Sequence, residues 1–265
     1  MKVSHEVPRC LLNASQVFND YDYCLPHLLD QDEEYKQYFV DARDKGRYVI
    51  MDNSLHELGE AYDYYRLKYW VNELKPNEFI VPDVWMDCSQ TAAQAKYWKQ
   101  FKYPKKTKLI AVIQGENKNQ AYLCANLLAE LGYDKLCVSY GATWYNDFFP
   151  HTNADMGKAL GRVRFVQGLF KLKQLKDIKF HLLGCSIPQE FGWYDDGFPS
   201  RIESIDTSNP IMAALDGTRY NSNGMNYKPN ANMNDFFDIE YEDINYIDIL
   251  YNTTKFREIN NLKTK

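Results

Sequence analysis

The chain lacks any long hydrophobic run. No stretch of its 265 residues approaches the roughly 18 consecutive apolar residues that a membrane-spanning helix requires. The opening residues MKVSHEVPRC also lack the apolar segment of a signal peptide. The sequence therefore predicts no membrane partner and favours a cytoplasmic location.

Paired cysteines and nucleotide-binding glycines are missing as well. The six cysteines occur singly and form no CxxC pair, so we interpret them as reduced core residues and predict no metal site. No GxGxxG motif follows the first predicted strand, which argues against a bound dinucleotide. The sequence predicts no cofactor.

The sequence also has no excess of positive charge. The 31 Lys and Arg residues are outnumbered by 36 Asp and Glu residues, which gives a formal net charge of -5. Because phosphate binding relies on Lys and Arg, this balance argues against a protein that holds nucleic acid through its overall charge. A local basic groove is still compatible with the negative net charge of the chain.

The sequence does contain a regular alternation of short apolar runs and longer amphipathic segments, which is typical of repeated βα units. The predicted strands are 7–12, 47–51, 78–81, 108–113, 135–140, 179–183 and 201–205. The predicted helices are 33–45, 60–74, 90–101, 119–131, 156–176 and, last, 241–252.

Seven or eight such units in succession can close into a barrel, and the chain length suits that fold. We therefore predict a single-domain α/β protein, a (β/α)8 TIM-type barrel over residues 1–265. The Asn-rich residues 218–265 are expected to form a polar loop and a C-terminal closing segment. A doubly wound open sheet is the alternative, and the eighth strand is the least visible element.

Polar side chains follow several of the predicted strands. Asp52, Asp83 and Asp206 each come directly after an apolar run, and Gln114 with Gly115 follows another. A single Asp in such a position commonly caps the next helix. In a parallel barrel, however, the carboxyl ends of all strands meet at one face, where clustered carboxylates shift one another's pKa. The pattern favours a functional site at that face.

Two carboxylates on either side of a sugar's anomeric carbon are the groups that glycosidic cleavage requires. One stabilises or attacks the carbon, and the other handles the proton of the leaving group. The amide of Gln114 and backbone groups at Gly141 or Gly184 can read the edge of a flat heterocycle, since an amide offers both a donor and an acceptor. His56 and Ser186 lie close enough to these strand ends to contact a substrate, although a loop His is more often a solvent contact.

The strand ends resemble, in order, the motifs of the tRNA-guanine transglycosylase family. The resemblance spans roughly residues 47 to 216, and each match is short. The segments that carry it are MDNSLHE, similar to DSGGFQ; VPDVWMD, similar to the FDEC region; AVIQGE, similar to VQGG; the turn at Gly141, similar to GGL; HLLGCS, similar to HYLMGVG; and SIDTSNPIMAA, similar to DCVxPTRxAR.

This resemblance implies a barrel enzyme that exchanges a guanine in nucleic acid for a 7-deazaguanine derivative. It implies that Asp206 is the nucleophile that bonds to the sugar and that Asp52 is the general acid/base. The residues predicted to surround the base are Asp83, Gln114, Gly115, Gly141, Gly184, Asn53 and Ser54.

The sequence also departs from the family pattern. Asn53 and Ser54 replace two glycines, and no Cys or His follows Cys185, so the family's zinc site of three Cys and one His cannot form. The zinc-bearing part supports RNA binding in the family. DNA is therefore favoured over tRNA as the partner, with a purine or 7-deazapurine base as the second substrate, in a bacterial or phage-infected cell.

Two further hypotheses and one question of assembly stay open. The same residues could serve a DNA glycosylase that hydrolyses out a modified base, because water can resolve the same covalent intermediate. The chain could also be a non-catalytic, transglycosylase-like binding subunit, although such subunits usually lose a catalytic carboxylate. A homodimer is compatible with all three hypotheses.

Overall fold

The computed structural model describes residues 1–194 and 201–263. Within these residues eight strands form one parallel sheet, in the order β1-β8-β7-β6-β5-β4-β3-β2. The strands are β1 Lys2–Ser4, β2 Asp22–Cys24, β3 Val49–Met51, β4 Glu78–Ile80, β5 Lys108–Val112, β6 Lys135–Ser139, β7 Lys179–Leu183 and β8 Ile202–Asp206. The sheet is nearly closed, with β1 and β2 at its two ends, which confirms the predicted (β/α)8 barrel.

The seam between β1 and β2 is bridged by a side chain. The backbone N–H of Asp20 donates to the Val3 carbonyl at 2.8 Å, and the Val3 N–H donates to Asp20 Oδ2 at 2.9 Å. Arg257, near the C-terminus, lies 3.1 Å from the same carboxylate and donates to the carbonyl of Phe18. The C-terminal segment thus stabilises the point at which the barrel closes.

The helices alternate with the strands. Their bounds are α1 Leu12–Ser15, α2 Pro26–Gln31, α3 Glu33–Asp44, α4 Leu55–Leu58, α5 Tyr64–Leu74, α6 Cys88–Trp98, α7 Lys118–Glu130, α8 Tyr145–Phe148, α9 Ala154–Phe170, α10 Asn209–Leu215, α11 Met233–Phe236 and α12 Tyr246–Ile259. None of the helices in the described residues is both long and apolar enough to cross a membrane.

Side-chain caps explain where the long helices begin. The carboxylates of Asp32, Asp63 and Asp87 accept backbone N–H groups in the first turns of α3, α5 and α6. Asp63 therefore starts α5 later than the predicted residue 60. Asn153 caps α9, which ends at Phe170 rather than at the predicted residue 176, and a 3-10 turn follows it.

Two strand assignments made from the sequence need correction. The predicted strand 7–12 is wrong, because Arg9–Leu11 form a 3-10 turn after Pro8 and the first strand is Lys2–Ser4. The strand Asp22–Cys24 was missed. Its Asp22 is buried and paired with Arg47 Nη2 at 2.9 Å, and the polar residues Asn19 and Asp20 precede it, so this three-residue strand does not stand out as an apolar run.

The barrel interior is filled from side to side. Ile50, Ile80, Ile110, Val112 and Cys137 from successive strands pack together inside it. A larger apolar cluster separates the sheet from the surrounding helices, and five of the six free cysteines are buried, as expected of core residues. Because the interior is packed, a ligand site is expected at the carboxyl ends of the strands.

Candidate functional site

The carboxyl ends of the strands surround a cavity of about 770 Å³. Polar residues that follow different strands line it, so the barrel brings together side chains that are far apart in the sequence. The lining residues predicted from the sequence are Asp52, Asn53, His56, Asp83, Gln114, Gly184 and Asp206.

Asp206 is the last residue of β8, and its side chain is buried. Burial raises the pKa of this carboxyl to about 7, while the backbone N–H of Gly184 and the charge of Arg162 act in the opposite direction. Asp206 therefore exchanges a proton near neutral pH, whereas an exposed Asp is ionised there.

Asp52 directly follows β3 and lies in the same cavity. Burial raises its pKa to about 6 and the charge of Asp206 adds to the shift, whereas the backbone N–H groups of Asn53 and Ser54 oppose it. The N–H of Ser54 lies 3.2 Å from Asp52 Oδ2. Ser54 has a left-handed φ of 62°, and its hydroxyl bonds His27 Nδ1 at 2.8 Å, which holds this turn in place.

Two further carboxyls, Glu6 and Glu57, line the cavity, and of these Glu6 was not predicted. Burial, followed by the charges of Asp206 and Asp52, raises the pKa of Glu6 to about 8. Burial and the charge of Asp52 raise the pKa of Glu57 to about 9. Glu6 was missed because the strand before it was assigned to the wrong residues.

A hydrogen-bonded chain links Asp206 to the interior of the barrel. Lys135 Nζ donates to Ser204 Oγ at 3.0 Å, and Ser204 Oγ lies 2.8 Å from His181 Nδ1. His181 Nε2 lies 2.9 Å from Asp206 Oδ1. All four side chains are buried.

The hydrogen-bond donors next to His181 determine which of its ring nitrogens carries the proton. An ammonium group can only donate, so the single hydroxyl proton of Ser204 is free to donate to Nδ1. Burial lowers the pKa of His181 to about 3, so the ring is neutral and carries its proton on Nε2. That N–H donates to Asp206 and favours its ionised form.

Asp83 follows β4 and is held by two amides. Asn53 Nδ2 donates to its Oδ1 at 2.7 Å, and Gln114 Nε2 donates to its Oδ2 at 2.6 Å. The other amide atom of Gln114 accepts the N–H of Met86 at 2.9 Å. Burial raises the pKa of Asp83 to about 6, and both amide donors act against the shift. The result is a rigid acceptor group in the cavity wall.

Other residues predicted to bind the base lie behind the cavity wall. Gly115 packs against the backbone of α7, and a Cβ atom there would lie 2.6 Å from the N atom of Ala121. Gly141 is covered by the Trp85 ring, because a Cβ atom at this position would lie 2.4 Å from Cη2 of Trp85. Ser54 and Ser186 are buried, and none of the four lines the cavity.

Aromatic and C-terminal residues complete the wall and were not predicted. Trp85 and Tyr140 line the cavity from the loops after β4 and β6. The segment 228–238, within the expected polar loop, lines the cavity as well. It is held at its far end by the N–H of Arg9, which donates to the Phe237 carbonyl at 3.0 Å.

The described residues contain no group of three or more His, Cys, Asp or Glu side chains arranged to hold a metal ion.

No family model matches the chain, and no curated protein matches it. Among solved structures it is similar to active domain 2 of a chitinase from Pyrococcus furiosus, with a TM-score of 0.44 and 11% sequence identity, over 98% of this chain and 96% of that chain. A likeness of this size bears on neither substrate nor mechanism. Fold and site together define a (β/α)8 barrel with a carboxylate-rich cavity at the carboxyl ends of its strands.

Proposed function

We propose that the protein is an enzyme that exchanges a guanine-type base for a 7-deazaguanine derivative at an N-glycosidic bond, with DNA favoured over tRNA as the polymer. The observation that carries the proposal is the pair Asp52 and Asp206. Both line one cavity, the charge of one raises the pKa of the other, and both exchange protons near neutrality. Such a pair can supply one ionised and one protonated carboxyl at the same time.

The reaction begins with ionised Asp206 beside protonated Asp52, which is the less populated of the two singly protonated forms because the pKa of Asp206 is the higher one. The Asp206 carboxylate attacks C1′ of the sugar, the C1′–N bond breaks, and the leaving base takes the proton of Asp52. The sugar is now joined to Asp206 through an ester bond. An incoming base then loses a proton to Asp52 and attacks C1′, which releases the carboxylate and returns both groups to their starting state.

The base itself is assigned to the wall formed by Asp83 and Gln114. Each Asp83 oxygen already accepts one amide hydrogen, and each has a second lone pair to offer. A purine edge that presents two neighbouring N–H groups, as guanine does, is complementary to this acceptor. The face of Trp85 or Tyr140 offers a surface on which a flat ring can stack.

The proposal is tested by base exchange. Labelled guanine is offered with DNA and, in parallel, with RNA, and the label in the polymer is counted. We expect uptake into DNA with the wild-type chain and none with Asp206→Asn. Asp87→Asn is the matched control, because Asp87 is a half-buried helix cap that does not line the cavity.

Base release without uptake would favour hydrolysis on the same residues. Neither uptake nor release from any polymer would contradict an enzyme acting at this bond. Uptake that persists in Asp206→Asn would overturn the assigned nucleophile.

A further inference from the structure

Two lysines from distant parts of the chain meet at Tyr140 beside the cavity. Lys228 Nζ donates to the Tyr140 hydroxyl at 2.6 Å and lies 4.8 Å from the ring centroid. Lys158 Nζ, on α9, lies 5.1 Å from the same centroid. His56 Nε2 lies 3.5 Å from the hydroxyl. The ring thus gathers two ammonium groups and an imidazole.

The positive charge at Tyr140 is only partly balanced. Asp155 accepts the backbone N–H of Lys228 at 2.9 Å, and the charges of Asp155 and Glu190 oppose the lowering of the Lys158 pKa. Among the described residues no carboxylate oxygen lies within 4.0 Å of either ammonium group. Arg162, on the same helix as Lys158, is already paired with Glu190.

The lysines also act on one another and on the ring beside them. Burial lowers the pKa of Lys158, and the charge of Lys228 lowers it further. Burial, followed by the charges of both lysines, lowers the pKa of His56. Two like charges held this close are unfavourable without an anion between or beside them.

We propose that Lys158 and Lys228, with His56, form a phosphate-binding subsite at the side of the cavity. This inference rests on the proposed function, and it specifies the substrate as a phosphodiester chain rather than a free nucleoside. The sugar would face Asp206 and Asp52 while its phosphate lies at the lysines.

The charges around the cavity are complementary to a ligand that has a neutral sugar and a negative phosphate. Asp52 and Asp83, whose pKa values of about 6 leave them largely ionised at neutral pH, make the cavity negative, so an anion is disfavoured near them. Lys228 lines the same cavity and carries the opposite charge. A sugar is neutral and its phosphate is negative, so a sugar phosphate matches both parts of the surface. Ammonium groups bind phosphate as point charges, without a fixed bonding geometry.

The test is the salt dependence of nucleic-acid binding, which requires no base exchange. A fluorescent single-stranded DNA, and an RNA of the same sequence, are titrated by anisotropy at NaCl concentrations between about 50 and 200 mM. The variants are Lys158→Gln, Lys228→Gln and the double variant. Lys106→Gln is the control, because Lys106 is exposed in the loop before β5, at the opposite end of the barrel.

We expect each Gln variant to reduce the slope of log Kd against log salt by about 0.7, the value for one single-strand phosphate contact, and the double variant to reduce it by about 1.4. Over this fourfold range of salt, a variant that lacks one phosphate contact should lose about 2.6-fold less affinity for the polymer than the wild-type chain loses. Lys158→Arg with Lys228→Arg should restore the slope.

An unchanged slope in the double variant, an equal reduction in Lys106→Gln, or no binding of either polymer would overturn the subsite. These results are separable from the exchange assay. Base exchange with an unchanged slope removes the subsite alone, whereas a lysine-dependent slope without exchange leaves the subsite and removes the proposed reaction.

Discussion

The interior of the barrel contains charged groups in two layers, and the layers differ in whether the charges are paired. Deep in the barrel, Glu78 and Lys135 are buried and lie 2.7 Å apart. At the carboxyl ends of the strands, Asp52, Asp206 and Glu6 share a cavity in which their pKa values are raised. A buried carboxylate with a cation holds its charge, and one without a cation becomes a group that can exchange protons.

The two layers are connected through Ser204 and His181. Lys135 donates to Ser204, and the Ser204 hydroxyl bonds the ring whose other nitrogen reaches Asp206. The paired layer therefore fixes the orientation of a side chain in the unpaired layer. Changes in the lower layer should affect stability first, and changes in the upper layer should affect chemistry first.

The largest expected effect is on stability. Lys135→Met should destabilise the fold by about 3–5 kcal/mol, because it leaves Glu78 buried without its cation. Urea unfolding at neutral pH measures the change. The double variant Glu78→Leu with Lys135→Met removes both charges and should recover most of the loss. A single variant as stable as the wild type would show that this layer is not maintained by the ion pair.

The second effect concerns His181. His181→Phe removes the N–H that donates to Asp206, and we expect kcat to fall by about 10 to 100-fold because the nucleophile loses its fixed orientation. The basic limb of the pH profile, which the higher pKa of Asp206 sets, should move to higher pH, since ionised Asp206 has lost a donor. His181→Gln, which can still donate, should recover part of both. A lower kcat with an unmoved limb would indicate a purely structural role.

The third effect is an increase in stability. The pKa of Asp52 is about 6 in the folded chain against 3.8 for an ordinary Asp. The stability that its protonated form contributes is therefore complete below about 3.8 and is lost as the pH rises through 6. Asp52→Asn avoids that loss and should stabilise the fold at pH 7 by on the order of 1–2 kcal/mol. Equal stability of the two proteins at pH 7 would argue that Asp52 is not strained by burial.

The smallest effect is the shape of the pH profile. The proposed reaction needs one proton on the pair Asp52 and Asp206, so kcat/KM should peak between the pKa values of about 6 and about 7. Asp52→Asn should leave a weak activity that rises with pH through a single limb. The range from pH 5 to pH 8 extends roughly one pH unit beyond the two pKa values. A wild-type kcat/KM that stays constant over this range would contradict the roles assigned to Asp52 and Asp206.

The sequence contained enough information to predict the barrel and its two central carboxylates. Strands such as Val49–Met51 and Lys108–Val112 carry runs of apolar residues, because helices cover one side and the packed interior covers the other. A polar residue at the end of such a run is conspicuous. Asp206 and Asp52 stood out for this reason, and the structure places both in one cavity.

The remaining site residues could not be predicted, because their positions depend on contacts between distant segments. His181 lies within an apolar strand, where nothing in the sequence shows that it faces Asp206. Lys228 lies in a polar segment that reaches Tyr140 only in the folded chain. Conversely, Gly141 follows a strand as expected but is covered by Trp85. Sequence pattern identifies strand ends, and packing decides which of them face the cavity.

The most direct measurement of the central proposal is a covalent bond between Asp206 and the sugar. The chain is incubated with DNA, denatured and run on a gel, and the bonded peptide is identified by mass spectrometry. We predict a protein–DNA adduct on the peptide that contains Asp206, and no adduct with Asp206→Asn. Base exchange by the wild-type chain without any adduct, or an adduct on a different residue, would contradict the mechanism.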